Sequence, residues 1–129
     1  MKEQQSGKKM FQTEIQTYKG QQLKFAQVSG DYNFIHMNRL FARIAGLPDV
    51  IMHGACVIAM ICSALVENKL KNDLRKLRSI SGRFSKPVIP GEKLILTGYT
   101  VPDPYTIHFE VFNPAGIAVF KKGIFRFRD

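Results

Sequence analysis

The chain has 129 residues, 45% hydrophobic and 22% charged, with ten Phe and no Trp. That length suits one domain with a core of its own, with no need of disulfide or metal staples. Nineteen basic residues against ten acidic ones give a net charge of +9, which favours anionic partners without choosing among nucleic acid, acidic proteins and phosphate-bearing ligands. Cys56 and Cys62 have neither CxxC nor zinc-finger spacing and read as reduced thiols filling space. The opening "MKEQQSGKKM" is polar and basic with no apolar run behind it, so a cytoplasmic protein is expected.

Residues 1–9 read as a disordered basic tail and 10–129 as a single domain. "MFQTEI" alternates apolar and polar residues, as a short strand does. "GQQLKFAQVSG" carries Leu23, Phe25, Ala26 and Val28 at helical spacing and stops at Gly30. "SGDYNFIH" reads as the loop that follows. "NRLFARIAG" predicts a second short helix with Asn38 as its N-cap and Leu40, Phe41, Ile44 and Ala45 as its apolar stripe. Gly46, Pro48 and Asp49 break it.

The longest apolar stretch is "VIMHGACVIAMICSALV". It is short for a membrane span and is interrupted by His53, Gly54 and Ser63. It predicts a long helix from about Gly54 to about Leu70, apolar on nearly every side and hence buried on every side. Strands follow: "RSISGRFS", "KLILTGYTV", "YTIHFEVF" and "IAVFKKGIFRF", separated by "PVIPGE", "PDP" and "NPAG". In "YTIHFEVF", Ile107, Phe109 and Val111 alternate with Thr106, His108 and Glu110. A helix apolar all round needs cover, and the later strands are the only large surface on offer. The expected fold is α+β, an antiparallel sheet wrapped around a long central helix. Such a sheet has two edges, and pairing through one of them would dimerise the chain.

Asp31, Asn33 and His36 place an acid, an amide and an imidazole within six residues. An ionised Asp and a titratable His flanking one water could add that water across an activated double bond. Asn33 offers donor and acceptor to orient them. Gly54 sits at the start of the long helix, where unpaired N–H groups and the dipole suit an oxygen gaining negative charge. His53 reads as an orienting or structural residue.

Together these residues resemble the MaoC-like, or (R)-specific enoyl-CoA hydratase, family. Its S/G-x-D-x-N-P-[IL]-H loop corresponds to "SGDYNFIH", its later HG to "IMHGA", and its R-F-x-x-P-V-x-x-G-D/E segment to "RFSKPVIPGEKL". The signature proline is Phe34 here, and Asn38 stands where many members carry aspartate. The resemblance covers nearly the whole chain. It implies a hot-dog fold and a homodimer, or a higher oligomer built on one, with the site at or near the subunit interface. Asp31 and His36 would hold the catalytic water, and Gly54 would contact the thioester carbonyl. The substrate would be a trans-2-enoyl thioester of coenzyme A or acyl carrier protein, hydrated to the (R)-3-hydroxyacyl form. No cofactor, metal or membrane is implied, and nucleic acid is the less favoured partner. The alternative is a catalytically silent hot-dog subunit or an anion- or nucleic-acid-binding protein. The basic run Lys69, Lys71, Arg75, Lys76 and Arg78 is the main argument for it, although such runs are commonly solvated helix ends.

Overall fold

Alternating side chains build the sheet and one apolar helix fills it. In the computed structural model, which describes residues 8–129, the strands are β1 (Lys9–Gln16), β2 (Leu77–Phe84), β3 (Lys93–Thr100), β4 (Thr106–Phe112) and β5 (Ala118–Phe127). They form one antiparallel sheet in the order β1-β3-β4-β5-β2. The helices are α1 (Gln21–Ser29), α2 (Phe34–Met37), α3 (Arg39–Ile44) and α4 (Gly54–Leu70), and a 3-10 turn at Leu74–Lys76 leads into β2. This is the antiparallel sheet around a central helix expected from the sequence.

The register explains the core. Leu96 lies opposite Val111 and Gly98 opposite Phe109. Leu94, Leu96, Ile107, Phe109 and Val111 form one buried cluster with Val57, Ile61 and Leu65 of α4. Those helix residues recur every four positions and so share one face. Burying each such side chain contributes about 1.5–3 kcal/mol. A Cβ on Gly123 would come within 2.6 Å of the Phe109 ring, so the glycine lets the aromatic ring lie against the β5 backbone.

Three details differ from the expectations. First, α4 is not covered on every side: Gly54, Ala55, Ala59 and Ser63 are exposed. A single sheet covers one side of a helix, and within one chain the other side faces out. Second, the strand β1 begins at Lys9, and the Lys8 carbonyl accepts from Thr100 N–H at 2.8 Å. The expected tail therefore ends before Lys8, and its residues 1–7 lie outside those described. Third, Glu110, on the face of β4 that alternation marks as polar, is fully buried and accepts a hydrogen bond from the Tyr99 hydroxyl at 3.4 Å. Among the described residues, no helix is long and apolar enough to cross a membrane.

Candidate active site

The site begins where α1 stops. Gly30 caps α1 in the left-handed region at φ 78°, and its N–H bonds the Ala26 carbonyl, a conformation that favours glycine. The chain then turns through Asp31. The expected open loop is shorter than the sequence suggested, because Phe34–Met37 form a one-turn helix. Asn33 starts it: its side-chain oxygen accepts from Ile35 N–H at 3.1 Å. The orienting role expected of the Asn33 side chain is therefore left to its amide nitrogen. The side-chain oxygen is spent on the cap, and the backbone N–H of Asn33 donates to Asp31 Oδ1 at 3.2 Å.

The single turn swings His36 inward, where it is buried. Its Nδ1 lies 2.8 Å from the Ile51 carbonyl oxygen. A carbonyl only accepts, so Nδ1 carries a proton, and in the neutral ring Nε2 keeps its lone pair. His53, in the N-cap position of α4, makes a parallel arrangement. Its Nε2 donates to the Asp31 backbone carbonyl at 2.8 Å, and its Nδ1 is buried with no hydrogen-bond partner among the described residues. The two imidazoles stack at 3.8 Å between centroids with 18° between planes. Phe25 packs on His53 at 4.8 Å, which pins the pair from the α1 side. Ligand-type atoms of Asp31, His36 and His53 all lie within 4.8 Å of one another. Asp31, exposed at the rim, and the two buried histidines therefore converge.

Such a triad has the residue types of a metal centre. Imidazole binds a metal through an in-plane lone pair at about 2.0–2.1 Å. In stacked, nearly parallel rings those lone pairs run side by side in separate planes rather than toward one point. The arrangement suits a water held between carboxylate and imidazole better than a chelated ion.

Gly54 opens α4, and no side chain caps that helix start. The N–H groups of the first turn are thus available, at the end of a helix dipole that favours negative charge. Beside them is a cavity of about 330 Å³ lined by Ile51, Gly54, Val57, Phe84, Lys86 and Val88 among others, within the size range of small-molecule sites. Asp31 and His36 do not line it directly. His36 adjoins it through Ile51, which both walls the cavity and accepts the His36 hydrogen bond, and Asp31 through His53, the residue before Gly54. Cys56, in the first turn of α4, has its thiol pushed up by burial, which removes it as a nucleophile near neutral pH.

Phe84 and Lys86 were not singled out from the sequence. Both sit in "RFSKPVIPGEKL", so the signal was the motif, and the facing of its side chains was what the sequence lacked. A Cβ on Gly54 would lie 3.3 Å from Phe84 Cε2. Gly54→Ala is therefore expected to push that ring into the cavity, while alanine itself suits a helix better than glycine. Differential scanning should find the melting temperature kept or raised. The enoyl-thioester hydration that the family resemblance implies should, in steady-state kinetics, show kcat/KM down about tenfold or more.

Comparison with known proteins agrees with the fold. The family model described as "MaoC like domain" matches residues 2–101. Enoyl-CoA hydratase 2, peroxisomal, from Arabidopsis thaliana is 42% identical over 69 residues, 54% of this chain and 22% of that protein. A MaoC-like dehydratase from Phytophthora capsici superposes with a TM-score of 0.87 at 26% identity, over 96% of this chain and 42% of the other. An (R)-hydratase from A. caviae shares the fold at a TM-score of 0.74 and 20% identity, covering 95% of this chain and 94% of that one. The chain spans about a fifth of the Arabidopsis relative it matches.

Proposed function

Since this chain belongs to the MaoC-like domain family, we propose that it adds water across a trans-2-enoyl thioester to give the (R)-3-hydroxyacyl thioester, or runs the reverse dehydration. The observation that carries this reading is the convergence of Asp31 and His36, with His36 Nε2 left as an acceptor, next to the uncapped start of α4. A water between the carboxylate and Nε2 loses a proton as its oxygen bonds the β-carbon. The α-carbon gains a proton from the same pair. Electron density shifted to the thioester oxygen is met by the Gly54 N–H and the α4 dipole. His53 positions the reaction without touching substrate: it fixes the Asp31 backbone and supports the His36 ring.

The acyl carrier is coenzyme A or acyl carrier protein, both anionic and suited to a chain of net charge +9. We further propose a homodimer in which a second copy covers the exposed side of α4 and the β2 edge. The compartment proposed is the cytoplasm, where Cys56 and Cys62, both free, stay reduced. The test is direct: purified protein with crotonyl-CoA should lose the enoyl absorbance. A protein inert toward short, medium and long enoyl thioesters would instead be a silent subunit.

This mechanism uses no metal. Dialysis against EDTA is expected to leave the hydration rate unchanged. A loss of activity restored by added zinc would make Asp31, His36 and His53 a cation site and replace the water mechanism.

A further inference from the structure

A ledge formed by α2 and α3 shows apolar side chains to solvent beside the site. Of the six residues of α3, only Ala42 is buried. Leu40 is 65% exposed, Phe41 46% and Ile44 72%, and Phe34 of α2 is 61% exposed. The Phe34 and Phe41 rings stack at 4.7 Å with 19° between planes. Leu40 and Ile44 are one helical turn apart, and Phe41 and Ile44 are three residues apart, so the four form one patch. A lone exposed leucine needs no explanation, whereas a contiguous preformed patch marks an interaction surface.

The rim is basic. Arg39 Nε lies 3.0 Å from Asp49 Oδ1. The Asp49 carboxyl is held below its ordinary range by the Val50 N–H first, then by Arg39, with the field of Arg43 adding to both. Arg39 pairs with Asp49 and Arg43 stands within its field, so the two arginines leave one positive charge over. The ledge also leads to the chemistry. Phe34 lies between Asp31 and His36, and the Ile35 carbonyl accepts from the N–H of Ile51, which walls the cavity.

We propose that the α2–α3 ledge docks an acidic acyl carrier protein and that the thioester arrives from that protein's prosthetic arm. The proposal rests on the hydratase reading and adds the identity of the carrier. Coenzyme A would satisfy the arginines and leave Leu40 and Ile44 in water. A second copy of this chain is a poorer occupant. A twofold contact centred here would set the arginines of one protomer against those of its partner, on chains each carrying +9. An acidic protein surface with an apolar centre complements both features.

The experiment compares the same enoyl group on holo acyl carrier protein and on coenzyme A. Leu40→Glu/Ile44→Glu is expected to raise KM at least tenfold for the carrier-bound substrate and to leave both kinetic constants within twofold for the coenzyme A thioester. Added salt should raise KM for the carrier-bound substrate in the wild type. The mass by light scattering should not change. Equal effects on the two substrates, no effect on either, or a drop in oligomer mass would overturn the proposal. Should the wild type turn over neither substrate, the hydratase reading fails, and docking is judged separately by calorimetric titration with holo carrier protein. Binding to the wild type that the double variant loses upholds the surface. Absent binding, or equal binding by both, overturns it.

Discussion

Asp31→Asn and His36→Ala should each leave almost no hydration of crotonyl-CoA. A positioned acid or base is worth about 10²–10⁴ in rate, and the two act as a unit, so the double variant should be little worse than either single one. The two should part company in stability. Asp31 is exposed, and asparagine keeps an oxygen that can accept from the Asn33 N–H, so the melting temperature should hold. His36 is buried and bonded to the Ile51 carbonyl. Alanine there orphans a carbonyl at a cost of about 1–3 kcal/mol and takes away the ring on which His53 stacks. Absorbance kinetics and a thermal melt on the same samples separate the two effects. Wild-type turnover in Asp31→Asn would remove the carboxylate from the mechanism.

Phe109→Ala should have the largest effect on folding. Phe109 has no solvent exposure, stacks with Phe120 at 5.6 Å between centroids and lies over Gly123. On the β5 side Gly123 carries no side chain that could fill its place. The expected cost is about 3–5 kcal/mol, a fall of roughly 10–25 °C in melting temperature for a chain of this size. A second substitution, Gly123→Ala, made in the Phe109→Ala background, should recover part of that loss. Made alone it should destabilise, since its Cβ would meet the Phe109 ring. A cycle without this reversal of sign would show that the two positions do not share one volume.

The sequence carried the fold well where one signal dominated. The helix expected from about Gly54 to about Leu70 is α4, because seventeen residues of high hydropathy leave no other buried element of that length. Ile107, Phe109 and Val111 fell on the inward face as their alternation required. Gly30 ended α1, as a left-handed cap should. Where signals were short or relational, legibility ended. The four residues of α2 are too few for any periodicity, so the Asn33 cap was hidden inside what read as a loop. The exposure of Ala55, Ala59 and Ser63 depends on how much helix one sheet can wrap, which hydropathy does not encode. The stripe of α3 was recognisable from Leu40, Phe41 and Ile44, but that it faces outward was not. Asp31, His36 and Gly54 could be named as a group, yet their convergence with His53 needed the chain path that brings Ile51 beside Ile35.

Both imidazoles spend one ring nitrogen on a peptide carbonyl, His36 on Ile51 and His53 on Asp31. The tautomers are thus held by the main chain and not by any neighbouring side chain. Replacements that reshape the hollow around Val57, Phe84 or Val88 leave those two anchors intact. In this scaffold the shape of that part of the hollow and the tautomers of the two imidazoles are separable traits, open to change one at a time.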